Sequence, residues 1–385
     1  MIIGIDARFA IQNRRGIGNY SLRLIEQLAK IDKHNKYILY IHQPDSEGVL
    51  PCQSNFDTKV IPTRNYFLFE QVLLPNQALN DGIDILHCPG NTAPIFLNKR
   101  ITLITSVLDV MYMKNKATIP QSESLYQRLG RIYRRVIVPR AIKRSKKLIS
   151  ISQFSLNDIM THFPKLKPTD INITHLAPNE NFHKISSENL KDQVRKILGF
   201  SDDYVLALGG YDPRKNTELL IKSFLDLRLS SEIEHKLVLV GIPNWRTSTL
   251  YDLAKSSRAR ESIHFTDFIS EIDLVKLYNC ATVFLYPSLY EGFGLPPLEA
   301  MACGVPVITS NTTSIPEVVE DAAIQIDPRN PDRLKQALLA VLGDTQLRAT
   351  LIERGYAQVS KFSWQRMAEA TLDVYQTSYL EREVI

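Results

Sequence analysis

The sequence predicts an α/β protein made of two doubly wound domains. Short apolar runs alternate with helical patterns along the chain, and the order of strand, glycine-containing turn and helix begins twice, near residues 1 and 204. Strands that alternate with helices favour parallel sheets. The 385 residues, of which 44% are hydrophobic, suffice for about two to three domains with substantial cores.

The first half begins with the run MIIGIDA at 1–7, which is typical of a buried parallel strand. A polar loop at 14–18 follows, and the spacing of Leu22, Ile25 and Leu28 predicts a helix over 20–31. Further apolar runs predict strands at 37–41, 83–87, 101–108 and 147–151.

The second half restarts with an apolar run at 204–210 that ends in Gly209 and Gly210. A basic loop at 211–216 and a helix to about residue 229 follow. Later strands are predicted at 236–240, 263–265, 283–286 and 305–309.

A linker is predicted at 178–190, because Pro178, Asn179 and Asn181 interrupt the periodicity. We therefore place an N-terminal domain at 1–182 and a second domain at 183–363. Ligands of doubly wound folds bind beyond the carboxyl ends of the strands, so two facing domains would form a binding cleft.

The composition argues against several classes of protein. The net charge of +5 is small, and no nucleic-acid-binding module accompanies the basic residues. The four cysteines have no CxxC spacing, as expected for reduced thiols in a cytoplasmic protein. The N-terminus lacks the pattern of a signal peptide, and no apolar run reaches the roughly 18 residues of a transmembrane helix.

The stretch YPSLYEGFGLPPLEAMACGVPVITS at 286–310 places two carboxylates beside a predicted core. Glu291 falls on a loop after a buried strand, and Glu299 falls in the first turn of a helix that two prolines favour. Gly292 and Gly294 let a ligand approach the backbone, and amides at a helix start suit a diphosphate. Each glutamate alone is also typical of a helix start or a solvated loop, but the whole pattern favours a site that binds sugar hydroxyls.

The segment EGFGLPPLEAMACGVPVI resembles the glutamate–seven–glutamate motif of retaining glycosyltransferase family 4, whose members have the GT-B fold of two Rossmann-like domains facing across a cleft. LALGGYDPRKN is similar to the donor loop of that family, and GIGNYSLRL and ISISQFSLNDI also fit. The resemblance covers most of the chain and is strongest at 200–345. It implies that a C-terminal helix at 364–385 packs back on the first domain; the alternative is a helix that ends the second domain.

The resemblance also implies a role for each matching residue. Arg214 and Lys215 would pair with the diphosphate of the donor, Glu299 with ribose hydroxyls, and Glu291 with hydroxyls of the transferred sugar. The implied catalytic residues are Glu291, Arg214, Lys215 and Asp109. The implied donor-binding residues are Gly16, Gly18, Gly210, Arg214, Lys215, Thr266, Phe268, Ile269, Glu291, Phe293, Gly294, Leu295 and Glu299, with Thr266–Ile269 beside the base.

The basic loop suits the chemistry of such a donor. Breaking a sugar–phosphate bond leaves charge on a nucleoside diphosphate, and a cation must stabilise it. The sequence has no Asp-x-Asp pair of the kind that holds a metal in many transferases. We therefore expect no metal and no cofactor, with Arg214 and Lys215 supplying the charge; a solvated basic loop is the structural alternative.

Candidate residues in the first half are less specific. Gly16 and Gly18 do not complete the pattern G-x-G-x-x-G, because a serine holds the last position; they would close on the diphosphate or acceptor, or form an ordinary turn. Asp109 follows Leu108 where many relatives have a His-Asp pair, so it is either a sugar or acceptor contact or a loop residue. His87 ends a predicted strand and is more typical of a packed histidine than of a catalytic one.

The segment 126–147 contains nine basic residues and no acid, with Leu129, Ile132, Val136 and Ile137 interleaved. This pattern is typical of a helix on an anionic membrane surface. It is equally typical of a helix with a solvated basic face, or of one that lines an acceptor site.

These observations together predict a retaining, metal-independent hexosyltransferase. It would move a sugar from a nucleoside diphosphate to a hydroxyl of a glycan or lipid-linked acceptor. GDP-mannose is the favoured donor, because NYFLFEQVLLPNQAL resembles mannosyltransferase-like members; UDP-glucose, UDP-N-acetylglucosamine and dTDP-rhamnose are alternatives. A nucleotide-sugar epimerase of the same fold and a non-catalytic sugar-nucleotide or glycan-binding protein are the other classes. We expect a cytoplasmic protein, with peripheral contact at the inner face of the cell membrane through 126–147 and no nucleic-acid partner.

Overall fold

The protein divides into two compact units. The computed structural model describes residues 1–11, 16–114 and 125–383, without the side chains of 125–128 and 382–383. Among these residues the first unit comprises 1–114, 125–176 and 363–383, and the second comprises 177–362. The first unit therefore leaves off at Leu176, before the predicted boundary at residue 182. Residues 14 and 15 of the predicted polar loop, and 384–385 of the predicted C-terminal helix, lie outside the description.

A seven-stranded parallel sheet forms the centre of the first unit, in the order β3-β2-β1-β4-β5-β6-β7. Interior strands such as that at Ile85–Cys88 have both faces buried, which explains their unbroken apolar runs. The strands are β1 (Ile2–Asp6), β2 (Lys36–Ile41), β3 (Phe56–Val60), β4 (Ile85–Cys88), β5 (Thr102–Ser106), β6 (Lys147–Ser150) and β7 (Ile171–Ile173).

Helices connect these strands. A π-helical turn at Phe69–Leu73 joins α2 to α3. The helices are α1 (Ile17–Ile31), α2 (Tyr66–Leu68), α3 (Leu74–Asn80), α4 (Leu125–Arg144) and α5 (Gln153–His162).

The second unit has a six-stranded parallel sheet in the order β10-β9-β8-β11-β12-β13. Val205, Leu285 and Ile308, from three neighbouring strands, belong to one buried core. The strands are β8 (Tyr204–Leu208), β9 (Lys236–Val240), β10 (Ile263–Phe265), β11 (Val283–Tyr286), β12 (Val307–Ser310) and β13 (Ile324–Ile326).

Helices also connect the strands of the second unit. They are α6 (Leu190–Leu198), α7 (Thr217–Leu229), α8 (Thr249–Lys255), α9 (Glu271–Cys280), α10 (Leu295–Ala302), α11 (Ile315–Val319), α12 (Pro331–Gly343) and α13 (Thr345–Val359). The last helix, α14 (Trp364–Glu383), belongs to the first unit. It packs there against α1 and β5.

In each sheet the strand order reverses once. The reversal lies between β1 and β4 in the first unit and between β8 and β11 in the second. At such a point the connections leave neighbouring strands in opposite directions, and a crevice opens at the carboxyl ends of the strands. The doubly wound α/β architecture predicted for each half is confirmed. In the second unit, a ligand site is expected at the loops that follow β8 and β11.

Candidate functional site

The loop after β8 carries the predicted cations. Pro213–Lys215 form a 3₁₀ turn that is capped by Asp212, whose side chain accepts a hydrogen bond from the Arg214 amide at 3.0 Å. The same carboxylate binds the Arg214 guanidinium at 2.8 and 2.5 Å. Asp212 therefore fixes the direction of the Arg214 side chain, which remains 23% exposed.

The loop after β11 is joined to this basic loop through backbone groups. The Leu289 amide and the Ser288 hydroxyl donate to the Arg214 carbonyl at 2.7 and 3.0 Å. The Asn216 side chain donates to the Pro287 carbonyl at 3.1 Å. Because β8 and β11 are adjacent and parallel, these bonds hold the two predicted parts of the site together.

Glu291 is the carboxylate at the centre of these two loops. Its Oε1 accepts hydrogen bonds from Lys215 Nζ at 2.8 Å, Tyr286 Oη at 2.6 Å and Ser288 Oγ at 2.8 Å. Burial alone would raise the pKa of Glu291, but the charge of Lys215 and these hydrogen bonds outweigh it and lower the pKa. Glu291 is therefore an ionised, oriented hydrogen-bond acceptor.

Gly294 starts α10 in a conformation that favours glycine, with φ of 109°. A Cβ at this position would lie 2.5 Å from Ile315 Cδ1. Pro296 and Pro297 follow and have no N–H group, so the expected row of amides at this helix start is shorter than the sequence analysis implied. The Phe293 ring, in the turn before α10, packs edge-on against Phe362 at 5.7 Å.

Glu299, in the first turns of α10, has the opposite electrostatic environment to Glu291. In the described part of the chain, no side chain donates a hydrogen bond to its half-buried carboxylate. Burial, with the charge of Glu271 added, raises the pKa of Glu299 from 4.5 to about 8. Glu271 is held in place by the side-chain amides of Asn179 and Asn181, at 3.0 and 2.7 Å. Glu299 is thus an acceptor group that lacks a donor.

The loop after β10 holds the residues predicted to lie beside a base. The Phe268 ring is 55% exposed and lies against Gly241, where an added Cβ would be 3.9 Å away. Thr266 donates through its hydroxyl to the Asp267 carbonyl at 3.0 Å, and Ile269 is half-buried. An exposed aromatic ring of this kind offers a flat apolar surface to a ligand.

Three other predicted residues belong to the first unit. Gly16 precedes α1 with φ of 47°, and Gly18 is buried in that helix. Asp109 is half-buried and accepts a hydrogen bond from the Met111 amide at 3.1 Å. The fourth predicted glycine, Gly210, lies after β8 and exchanges backbone hydrogen bonds with the Thr217 hydroxyl at 3.2 and 3.1 Å.

His87 has the environment of a packed residue. It is fully buried, with Nδ1 at 2.6 Å from Tyr375 Oη and Nε2 at 2.7 Å from Ser106 Oγ. Burial lowers the pKa of His87 to about 3, so the ring is neutral. Between the packed and the catalytic role, the structure favours the packed one.

Sequence reasoning did not select several residues that fix the site. Tyr286 and Ser288 bind Glu291, the Glu291 amide donates to Thr313 Oγ1 at 3.1 Å, and Ser314 Oγ donates to the Glu291 and Phe293 carbonyls at 2.9 and 2.8 Å. Their position in the sequence could have identified them. Tyr286 and Ser288 lie at the end of β11, and Thr313 and Ser314 follow β12.

Among residues 1–11, 16–114 and 125–383, no group of three His, Cys, Asp or Glu side chains is placed to hold a metal ion. No helix there is long and apolar enough to cross a membrane.

The known proteins to which the sequence is similar are glycosyltransferases. Residues 191–358 match the family described as glycosyl transferases group 1. The chain is 30% identical over 376 residues to O-antigen chain mannosyltransferase B of Escherichia coli, which covers 94% of this chain and 95% of that protein. It is 31% identical over 235 residues to the serotype-specific mannosyltransferase WbdA of Escherichia coli, which covers 60% of this chain and 29% of WbdA.

Comparison with solved structures concerns the fold. The protein is similar to the crystal structure of WaaG, a glycosyltransferase involved in lipopolysaccharide biosynthesis, with a TM-score of 0.73 and 18% identity over 97% of this chain and 99% of that one. At this identity the likeness shows the fold alone. The predicted GT-B fold class is confirmed.

Proposed function

This chain belongs to the glycosyl transferases group 1 family and is a glycosyltransferase, and we propose that it transfers mannose from GDP-mannose to a hydroxyl of a glycan or lipid-linked acceptor. The proposed transfer retains the configuration at C1 of the sugar and needs no metal ion. The names of two relatives, both mannosyltransferases, support mannose as the transferred sugar. The GDP donor and the retaining course rest on the resemblance of the sequence motifs.

The observation that carries the proposal is the joined pair of loops after β8 and β11. They bring Arg214, Lys215 and Glu291 to the point where the strand order reverses, with Lys215 Nζ at 2.8 Å from Glu291 Oε1. In the proposed complex the diphosphate binds Arg214 and Lys215. Since the charge on the diphosphate grows as it leaves, these cations stabilise the transition state more than the bound donor.

The proposed step breaks the bond between C1 of the sugar and the diphosphate oxygen. The electron pair of that bond stays on the diphosphate, the acceptor oxygen bonds to C1 on the same face, and the acceptor proton passes to a phosphate oxygen. Glu291 orients sugar hydroxyls in this scheme. Its Oε1 already accepts three hydrogen bonds, which favours positioning over attack on C1.

The remaining site residues are proposed to bind the nucleoside. Glu299 lacks a donor, and ribose hydroxyls would supply one. The base would lie beside Thr266, Phe268 and Ile269, with the exposed ring of Phe268 as its apolar support. Gly16, Gly18 and Asp109 of the first unit are proposed to contact the sugar, the diphosphate or the acceptor.

A metal-independent reaction is supported by the two cations and by a sequence without an Asp-x-Asp pair. The test is turnover of GDP-mannose, measured as release of GDP, with and without a chelator. Equal rates are expected, and loss of activity in the chelator would reject this part of the proposal. The anomeric configuration of the product, read by NMR coupling, tests retention.

The donor nucleotide is tested separately by thermal shift with GDP, UDP, dTDP and ADP. A ligand that binds only the folded protein raises the melting temperature, and GDP is expected to raise it most. A larger rise in melting temperature with UDP or dTDP would indicate another donor in place of GDP-mannose. The assignment of the donor site to the loops after β8 and β11 would be unaffected.

A further inference from the structure

Helix α4 turns apolar side chains toward solvent. Leu129, Ile132 and Val136 are 68%, 55% and 45% exposed, and their spacing places them on one face of the helix. Arg131, in contrast, is 7% exposed and donates to the carbonyls of Tyr112 and Lys114 at 3.3 and 3.0 Å. The exposed face of α4 therefore carries these apolar side chains together with bases such as Arg135 and Arg140.

Two further segments extend this exposed surface. Phe67 and Val72, in α2 and the π-helical turn, are 54% and 41% exposed, and Phe96 is 83% exposed. We define the apolar patch as Phe67, Val72, Phe96, Leu129, Ile132 and Val136.

Contacts around Tyr133 and Gln71 join the three segments. The Phe67 ring lies edge-on to the Tyr133 ring of α4 at 6.1 Å. Gln71 Nε2 donates to Tyr133 Oη and to the Ala93 carbonyl, both at 3.1 Å, and the Ile95 amide donates to Gln71 Oε1 at 2.9 Å. The patch is therefore one surface assembled from distant parts of the sequence.

The exposed charges of the segments that form the patch are basic. Segments 62–80, 93–101 and 129–147 contain a single acid, Glu70, which is fully buried and paired with Arg8 at 3.1 Å. The exposed ionisable side chains of these segments include Arg64, Lys99, Arg100, Arg135, Arg140, Lys143 and Lys146. Lys146 pairs with Glu381 of α14 at 2.8 Å, and the other exposed charges among the described residues of these segments are basic. An apolar surface bordered mainly by bases is complementary to lipid that carries negative headgroups.

We propose that the apolar patch docks the first unit on the surface of an anionic lipid bilayer. The apolar side chains enter the boundary of the acyl region, and the surrounding bases contact phosphate groups. A second copy of the chain is a poorer partner, because a twofold contact would set the basic borders of two identical surfaces against each other. The proposal is independent of which sugar nucleotide the second unit binds.

The apolar part is tested by sedimentation of the full chain with two kinds of vesicle: phosphatidylethanolamine with phosphatidylglycerol, and phosphatidylcholine alone. We expect binding to the anionic vesicles and a loss of about tenfold or more in the variant Leu129→Gln/Ile132→Gln. Phe67→Gln/Phe96→Gln, on the other two segments, should lose a similar factor. The matched control is Leu229→Gln/Leu380→Gln, which changes two side chains of 54% and 61% exposure outside the patch.

The charged border is tested with Arg140→Gln/Lys143→Gln, which should weaken binding roughly fivefold for each charge at low salt. Lys165→Gln/Lys167→Gln removes two exposed bases elsewhere in the first unit and should bind as the wild type does. Circular dichroism and the thermal shift with GDP show that each variant is folded.

Three outcomes would overturn the proposal. They are no binding to anionic vesicles, equal binding to both kinds of vesicle, and equal loss in the patch variants and their controls. A dimer in light scattering that Leu129→Gln/Ile132→Gln dissociates, without vesicle binding, would assign the patch to a second copy of the chain instead.

Discussion

Glu291 and Glu299 belong to one sequence motif, yet their surroundings shift their pKa values in opposite directions. Lys215 lowers the pKa of Glu291 against the effect of burial, and burial with Glu271 raises that of Glu299. The motif predicts where both carboxylates lie along the chain. It does not predict their ionisation, because Lys215 and Glu271 lie on other elements, the turn after β8 and the start of α9.

Lys215→Ala is predicted to weaken GDP binding and to reduce kcat on the order of a hundredfold, since it removes one charge that stabilises the leaving diphosphate. Calorimetry measures the first effect and GDP release the second. Lys222→Ala is the matched control, because Lys222 is 56% exposed and pairs with Glu218 of its own helix. Unchanged GDP affinity in Lys215→Ala would remove the basic loop from the donor site.

Glu299 is predicted to make the stability of the protein depend on pH. Its pKa is about 8 in the folded protein against an ordinary value of 4.5, so between these values the folded state binds more protons than the unfolded state. Stability from this group is therefore present below about pH 4.5 and is lost as pH rises toward about pH 8. The side chain of the variant Glu299→Gln cannot ionise. The melting temperature of this variant should therefore be higher than that of the wild type at high pH and equal to it at low pH.

The same group should couple GDP binding to pH. Ribose hydroxyls donate to the ionised carboxylate, so binding releases a proton, and GDP affinity should rise with pH across this range in the wild type. Calorimetry in two buffers of different ionisation enthalpy measures the proton release. Proton release of equal size in Glu299→Gln would assign it to another group.

At the level of elements, the sequence predicts every interior strand but only one of the four edge strands, β10. β1, β4 and β5 in the first sheet are near-continuous apolar runs because both of their faces are buried. β3, β7 and β13 were not predicted, and each is the edge strand of its sheet. β3 has mostly exposed residues after Phe56, so it lacks the pattern from which an interior strand is recognised.

The orientation of α4 shows a second limit of sequence patterns. Periodicity identifies the apolar stripe and the basic residues between its members, but it does not say which of the two faces the protein. Arg131 turns inward, where its side chain donates to the Tyr112 carbonyl at 3.3 Å. Arg135 donates to the same carbonyl at 2.9 Å but stays exposed. That acceptor lies on a separate segment, and only the folded chain brings it to the helix.

Gly294→Ala is predicted to destabilise the second unit by about 1–3 kcal/mol, because an Ala Cβ would meet Ile315 Cδ1 at 2.5 Å in a backbone conformation that disfavours side chains. The displaced start of α10 should also weaken GDP binding. Denaturant unfolding and calorimetry measure the two effects.

The control for this prediction is Gly199→Ala in the same unit, where φ is 78° and no atom lies within 4 Å of an added Cβ. It carries the backbone strain without the contact. If both variants lose the same stability and the same GDP affinity, the contact with Ile315 has no part in shaping the site.

At the scale of the whole molecule, the last helix in the sequence belongs to the first unit, although it follows the second unit along the chain. Residues 363–383 belong to the first unit, where Val374 and Tyr375 of α14 are buried. The amphipathic pattern of this segment predicts a packed helix but leaves its partner open, because apolar periodicity does not identify the surface that receives it. Only the resemblance to the family pointed to the first domain.

The link between α14 and the sheet of the first unit is a buried hydrogen-bond chain. Tyr375 Oη lies 2.6 Å from His87 Nδ1, His87 Nε2 lies 2.7 Å from Ser106 Oγ, and Ser106 Oγ lies 2.9 Å from Tyr20 Oη. Because burial keeps His87 neutral, the ring offers one donor and one acceptor, and both are used. The chain ties α1, β4, β5 and α14 into one cooperative unit.

Tyr375→Phe is therefore predicted to destabilise the first unit selectively. It leaves His87 Nδ1 buried without a partner, at a cost of about 1–3 kcal/mol, while the second unit keeps all of its own contacts. Hydrogen exchange should become faster in 1–114 and 363–383 and stay unchanged in 177–362, and GDP should slow exchange in the second unit of wild type and variant alike. Tyr356→Phe, at a tyrosine that is 41% exposed, is the control and should leave the first unit unchanged. If Tyr375→Phe speeds exchange equally in both units, the two do not unfold as separate bodies and α14 does not act through His87.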